Sequence, residues 1–168
     1  MSTTSIVEIG RFEISRDQAT RWRSGELSRE WAKQFPQLFD ADDLALASTQ
    51  GHLGFHFVEW LGAIKLLELT GCLSLVSKYE FSKHRRKQEI VRGLLPDPVL
   101  ALIRDHTRFG RTQCPDLLAY LPDYTDWFFC EVKGAGDRLG ERQQRYFEEL
   151  ARVSAKPIRL LRFKWGHG

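Results

Sequence analysis

The sequence lacks any apolar run long enough to cross a membrane. A spanning helix needs about 20 consecutive apolar residues, but the longest apolar-rich stretch, residues 55–69, is interrupted by His56, Glu59, Lys65 and Glu68. The first residues, MSTTSIVEIGRFEIS, also lack the basic segment and apolar core of a signal peptide. These absences exclude a membrane-embedded enzyme, and we expect a cytoplasmic protein with no membrane partner.

Cysteine is also scarce. The chain has three cysteines, Cys72, Cys114 and Cys130, and no C-x-x-C pair. The odd number and the apolar neighbours predict buried free thiols in a reducing compartment. The five histidines form no ligand pairing with these cysteines, which argues against a zinc site.

What is present is the composition of one ordinary globular domain. The chain has 168 residues, of which 42% are hydrophobic and 28% charged. That is enough to bury a core and too apolar for extensive disorder. No internal repeat, low-complexity segment or domain linker is visible.

Charge is distributed unevenly along the chain. Residues 1–77 carry 7 Lys/Arg against 10 Asp/Glu, a net −3, whereas residues 78–168 carry 18 against 12, a net +6. An excess of positive charge in one half favours a polyanionic partner, because phosphate contacts supply most nonspecific affinity for nucleic acid. A merely solvated basic surface explains the same numbers.

Hydrophobic periodicity predicts an α/β fold. We expect the first fifty residues to be helical, with helices over about 15–35 and 42–49, and a long buried helix over 55–69 that ends at a Gly71 cap. Further helices are expected to begin at Asp97-Pro98, with Asp97 at the cap and Pro98 in the first turn, and at about Arg138, capped by Asp137. The expected strands are 73–81, 113–121, 127–133 and 157–163.

This order predicts a mixed central β-sheet flanked by helices. The core reads helix, strand, strand, strand, helix, strand (αβββαβ), with one extra helix before the second strand. Residues 1–50 are expected to be an N-terminal helical extension packed on a core domain of residues 51–168. Between the first two strands, the basic segment SKHRRKQ (82–88) is expected to be an exposed loop.

Three charged residues at the ends of two apolar strands carry the chemistry. Glu131 and Lys133 share one face of their strand because side chains alternate, and a hairpin brings Asp116 beside them. Two carboxylates suit Mg²⁺, a hard cation that takes oxygen ligands and retains water. Such an ion activates water for attack on a phosphodiester, and the lysine adds positive charge. A structural ion pair of Lys133 with Asp116 or Glu131 is the alternative.

The flanking residues resemble a known nuclease family. Pro115-Asp116-Leu-Leu, then Glu131-Val-Lys-Gly-Ala-Gly-Asp-Arg-Leu139, then Gln143, resemble the VRR-NUC family (virus-type replication-repair nucleases) of the PD-(D/E)xK superfamily. The resemblance covers about residues 110–163. It implies a restriction-endonuclease-like core, dependence on Mg²⁺ or Mn²⁺, and phosphodiester hydrolysis on structured DNA. It also implies a homodimer, as in the small junction-resolving members.

The resemblance assigns roles by position. It implies that Asp116 and Glu131 are metal ligands, with the backbone carbonyl of Val132 completing the coordination. It makes Lys133 the catalytic lysine and Gln143 the helix residue that orders the site.

The chain departs from the family pattern at two positions. Ala135 stands where the family has Pro, and Gly140 stands where it has Ser. Neither change removes a ligand, but Gly140 in the first helical turn is expected to weaken the start of that helix.

Glu59 is a further candidate metal ligand. It lies in the polar stripe of the long helix, and nucleases of this fold often place an acidic residue on the first core helix. A solvent-facing stripe or an ion pair with Lys65 explains it equally well. His56, one turn earlier, is expected to be structural.

Basic side chains supply candidate DNA contacts. They are Lys83, Arg85, Arg86 and Lys87 in the expected loop, with Arg138, Arg142 and Arg145 at the late helix. The functional hypothesis is a metal-dependent DNA endonuclease that cuts branched DNA, a Holliday junction or a flap. The alternative is a non-catalytic nucleic-acid-binding or assembly protein that retains the nuclease fold.

Overall fold

The structure is a computed structural model that describes residues 5–39, 41–52, 54, 56–76, 79, 84–109 and 113–166. Its strands are β1 (Ile6–Ile14), β2 (Leu73–Val76), β3 (Leu117–Tyr120), β4 (Trp127–Lys133) and β5 (Ile158–Trp165). Its helices are α1 (Arg16–Arg23), α2 (Glu26–Gln34), α3 (Ala41–His52), α4 (Phe57–Thr70), α5 (Arg85–Leu94), α6 (Asp97–Phe109) and α7 (Glu141–Ser154).

The strands form one mixed sheet in the order β1-β5-β4-β3-β2. β1 and β4 each pair with β5 in parallel, whereas β3 pairs antiparallel with β2 and β4. The predicted αβββαβ core is present as α4, β2, β3, β4, α7 and β5. It contains two inserted helices, α5 and α6, where the sequence predicts one.

Helices cover both faces of the sheet. In β3, Leu117 and Ala119 pack with α1–α4, whereas Leu118 packs with α5–α7. This alternation follows from the pleat, which directs successive side chains to opposite faces. Among the described helices, none is both long and apolar enough to cross a membrane.

Gly62 lets α4 lie close to the sheet. A Cβ atom at this position would stand 2.8 Å from Val132 Cγ2 and 3.5 Å from Leu117 Cδ1. The glycine therefore lets the second turn of α4 pack closely against Val132 of β4 and Leu117 of β3. The helix ends at Gly71 with a φ of 73°, which confirms the predicted left-handed cap.

The expectation that the first fifty residues are helical is wrong for β1. This strand lies at the edge of the sheet and pairs with β5 from Ile6↔Ile158 to Ile14↔Trp165. Its partner is more than 140 residues away along the chain, so no local pattern could reveal the pairing. Of the predicted helices that follow, the one over 15–35 is broken at Ser24 and Gly25 into α1 and α2, and the one over 42–49 is present within α3.

The expectation of an exposed basic loop is also wrong from residue 85 onward. Arg85 begins α5, which places Ile90 and Leu94 in the core. Lys87 is 5% exposed, and its Nζ lies 3.6 Å from Asp43 Oδ1. The prediction that Lys87 contacts DNA is therefore wrong, because a buried ammonium paired with a carboxylate is not accessible to DNA. Lys83 lies outside the described residues.

Candidate active site

The β3–β4 hairpin brings the predicted site residues together. Leu117 pairs with Cys130, so Asp116, immediately before β3, lies opposite Glu131. Two hydrogen bonds fasten this arrangement. The Asp116 N–H donates to Glu131 Oε1 at 3.0 Å, and the Val132 N–H donates to Asp116 Oδ2 at 2.9 Å. Each carboxylate is thus held by the backbone of the other's strand.

Lys133 and Gln143 complete the cluster. Glu131 is 2% exposed, and its Oε2 lies 3.1 Å from Lys133 Nζ. Gln143, on α7, donates from Nε2 to the same oxygen at 2.6 Å and accepts from Lys133 Nζ at 3.0 Å. The helix residue therefore fixes the acid and the lysine relative to each other. The ion pair with Glu131 that the sequence left as an alternative is present, within a larger cluster.

Negative charge is concentrated at this corner of the sheet. Burial, with the nearby charge of Glu131, raises the pKa of Asp116 to about 9. A hydrogen bond between the two carboxyl groups and the charge of Glu59 raise this pKa further, whereas the hydrogen bond from the Val132 N–H lowers it. Without a cation, the site therefore disfavours the ionised form of Asp116.

Glu59 lies in the first turn of α4 and contributes to this field. Its side chain is partly buried, with Oε1 3.6 Å from His56 Nδ1. Lys65 pairs with Glu68 at 3.7 Å, so the alternative of an ion pair between Glu59 and Lys65 is wrong. Its role as a metal ligand stays a prediction.

The sequence comparison assigns the family. A profile of the VRR-NUC domain matches residues 63–158, more than half of the chain. The chain belongs to the VRR-NUC family of nucleases. The match runs from α4 to the start of β5 and includes Asp116, Glu131, Lys133 and Gln143. No curated protein matches the chain.

A solved structure offers a weaker likeness to this VRR-NUC chain. It is described as the crystal structure of paFAN1 bound to 2nt 5′ flap DNA with gap. The identity is 17% and the TM-score 0.40, over 90% of this chain and 48% of that one. The chain thus spans about half the length of that protein, and the family assignment depends on the sequence profile.

Two tyrosines anchor Cys114 and Pro115, the two residues immediately before Asp116. The Tyr79 hydroxyl donates to the carbonyl of Pro115 at 2.8 Å. The Tyr146 hydroxyl lies 3.4 Å from Cys114 Sγ. Sequence reasoning missed both, because each contact joins residues more than 30 positions apart. Aromatic residues in apolar segments indicated only core packing.

The prediction that Asp137, in the segment after β4, caps the following helix is wrong. Asp137 does not cap α7, because its carboxylate accepts the Gly134 N–H at 3.3 Å and closes a turn. Gly136 adopts a φ of 82° within this turn, which favours glycine. The N-cap of α7 is Gly140, with no side-chain cap, so it precedes the first turn instead of lying in it. Replacing Ser by Gly at an N-cap costs only a few tenths of a kcal/mol.

The candidate DNA contacts divide into two groups. Arg138 and Arg142 are exposed and lie near Gln143 in sequence, Arg138 before α7 and Arg142 in its first turn. In α5, Arg85 is exposed and pairs with Glu89 at 2.9 Å, whereas Arg86 is paired with Asp43. Arg138, Arg142 and Arg85 are therefore accessible, and the side chain of Arg86 is 36% exposed.

The donor set fits a hard divalent cation. Among the described residues, no three His, Cys, Asp or Glu side chains form a ready-made metal cluster. Asp116 and Glu131 supply two carboxylates, and Mg²⁺ is commonly bound by one or two carboxylates plus waters. Three contacts occupy Glu131, from the Asp116 N–H, Lys133 and Gln143, and its hydrogen bond with the Asp116 carboxyl group is lost when Asp116 ionises to bind a metal. A carboxylate has about four acceptor positions, so room for a metal bond remains.

Proposed function

We propose that this VRR-NUC protein is a Mg²⁺- or Mn²⁺-dependent endonuclease that hydrolyses phosphodiester bonds in DNA. The observation that carries the proposal is the pairing of Asp116 with Glu131. Backbone hydrogen bonds hold the two carboxyl groups together, and the Lys133 ammonium lies beside Glu131. Holding two carboxylates together out of water is costly unless a cation neutralises them. A divalent ion and a phosphate are the partners that this charge arrangement suits.

The residues divide the chemistry among them. Asp116 and Glu131 would hold the ion, together with the backbone carbonyl of Val132. A bound divalent cation supplies Lewis-acid activation of water and neutralises charge on the phosphate. Lys133 places a positive charge where the phosphate develops negative charge. Gln143 orients both Lys133 and Glu131 through its two hydrogen bonds.

Substrate shape and assembly are finer predictions. The family resemblance favours branched DNA, a Holliday junction or a flap, and a homodimer. The exposed Arg138, which precedes α7, and Arg142, in its first turn, support contact with DNA phosphates. The basic balance of residues 78–168 supports the same class of partner.

Cleavage of labelled DNA tests the proposal. The panel holds single strand, duplex, 5′ flap, splayed arm and four-way junction, each in Mg²⁺, Mn²⁺ or EDTA. We expect metal-dependent cutting that falls by at least about a hundredfold in Asp116→Ala, Glu131→Ala and Lys133→Ala. Asp126→Asn is the matched control, because Asp126 precedes β4 at its opposite end and pairs with Lys156 at 2.7 Å.

Two outcomes would contradict the proposal. Cleavage that persists in EDTA, or in a folded Asp116→Ala protein, would contradict a metal-dependent reaction at Asp116. Binding of branched DNA without cutting of any substrate would support the non-catalytic alternative.

A further inference from the structure

A row of basic side chains crosses the sheet beside the catalytic lysine. The register of the parallel strands pairs Lys133 of β4 with Arg162 of β5, and Arg162 with Arg11 of β1. Neighbouring strands lie about 4.8 Å apart, so Arg11 is about 10 Å from Lys133 along the row. Arg11 and Arg162 lie outside the residues that match the family profile.

A β-bulge in β1 shapes this row. Glu8 pairs with Leu160 and Gly10 with Leu161, so one extra residue is inserted between them. In a regular strand, residues 8 and 11 would point to opposite faces. The bulge places them on the same face, and bulges often redirect a side chain near functional sites. Gly10 permits the kink, because a Cβ there would stand 2.8 Å from the Phe12 ring.

Glu8 bridges both arginines. Its Oε2 accepts from Arg11 Nε at 2.8 Å, and its Oε1 lies 3.0 Å from Arg162 Nε. The side chain of Arg11 is 69% exposed and that of Arg162 is 34% exposed. One carboxylate therefore holds two guanidinium groups at the surface, in the position that an oxyanion ligand would take.

These side chains border a cleft next to the active-site turn. The cleft, of about 200 Å³, is lined by Arg11, Arg162, Lys164 and the turn 134–137 that follows Lys133. Lys164 pairs with Glu13 at 3.6 Å on the same edge of the sheet. The cleft thus joins the row of cations to the end of the strand that carries Glu131 and Lys133.

We propose that Arg11 and Arg162 bind a backbone phosphate of the DNA strand next to the cleaved bond. Glu8 occupies the two guanidinium groups when DNA is absent and competes with that phosphate. Guanidinium groups suit this task because they bind phosphate oxygens with charge-assisted hydrogen bonds. The inference deepens the proposed nuclease function by extending the substrate path from Lys133 towards β1.

The competing account is that the ion pairs only stabilise the edge of the sheet. The two accounts predict opposite results for Glu8→Gln, a nearly isosteric change. If Glu8 competes with phosphate, its neutralisation tightens DNA binding. If Glu8 only stabilises β1, its neutralisation leaves binding unchanged or weakens it.

Binding of a fluorescein-labelled four-way junction and a duplex to the full chain tests this, by anisotropy in EDTA at several salt concentrations. We expect Glu8→Gln to lower the Kd about threefold to tenfold, and Arg11→Gln and Arg162→Gln each to raise it by a similar factor. Each arginine variant should also reduce the salt slope by about one phosphate contact.

Asp126→Asn and Lys156→Gln are the matched controls. They break a comparable surface ion pair at the opposite end of the sheet with the same changes in net charge. They should alter the Kd by less than about twofold. An unchanged or higher Kd for Glu8→Gln, or Arg162→Gln binding like the wild type, would overturn the inference.

A cleavage assay of the wild type in Mg²⁺ distinguishes failure of the phosphate subsite from failure of the proposed nuclease function. Cutting by the wild type together with unaltered binding by the three variants would overturn the phosphate subsite alone. A wild type that binds DNA and cuts none of it would overturn the nuclease, while the opposite shifts in Kd would still support the subsite.

Discussion

Two buried acidic sites in this molecule are balanced differently. Asp43, 5% exposed, faces two cations, because Arg86 pairs with it and Lys87 Nζ lies 3.6 Å away. Glu131, 2% exposed, shares its corner with a second carboxylate, Asp116. Within the described residues, Lys133 is the one cation in ion-pair contact with that pair.

The difference distinguishes a charge that is balanced within the fold from the pair of carboxyl groups that we propose binds a metal ion. At Asp43 the fold supplies its own counter-charges, which join α3 to α5. At Asp116 and Glu131 two carboxyl groups face one ammonium, and burial with the charge of Glu131 raises the pKa of Asp116 to about 9. Perturbed titration of this kind clusters at functional sites. The second site is therefore suited to a cation that the chain itself does not provide.

Neutralising each acid should change stability in opposite directions. Asp43→Asn leaves the buried Lys87 without its counter-charge, which we expect to lower the free energy of unfolding by about 3 kcal/mol. Asp116→Asn removes a carboxyl group that must take up a proton when the chain folds at pH 8, so it should raise the stability of the metal-free protein at that pH. Urea unfolding in EDTA measures both changes. A loss of stability in both variants would contradict the comparison.

The stability difference at Asp116 should depend on pH with a defined sign. Its folded pKa is raised, so the native state is protonated where the unfolded chain is ionised. The stability of the metal-free wild type should therefore fall relative to Asp116→Asn as pH rises from about 4 to about 9, by up to about 1.4 kcal/mol per pH unit. Thermal unfolding of both proteins at pH 5, 7 and 9 checks it. A difference that is constant with pH would contradict the raised pKa.

The sequence could predict the hairpin and the site because their determinants are local. Strand β4 was predicted with its observed bounds, 127–133, from an apolar run ended by alternating charges. The alternation alone places Glu131 and Lys133 on one face, and the short turn before β4 brings Asp116 to them. Gln143 followed from the family resemblance; the structure shows its contacts with both residues, and its role in catalysis stays a prediction.

What the sequence could not predict depends on contacts between distant segments. The position of β1 in the sheet depends on its pairing with β5, which is distant along the chain. The β-bulge in β1 can be recognised only from the register of that pairing. The basic charges of residues 85–87 indicated a loop, but burial of Ile90 and Leu94 makes the segment a helix. No local sequence pattern predicts the ion pair between Asp43 and Lys87.

Binding of Mn²⁺ to the metal-free protein, followed by electron paramagnetic resonance, tests the central claim most directly. It needs no DNA and separates the two acidic sites. We expect the wild type and Asp43→Asn to bind the ion, whereas Asp116→Asn and Glu131→Gln bind it at least about tenfold more weakly. Equal binding by all four folded proteins, or none by the wild type, would contradict a cation site at Asp116 and Glu131.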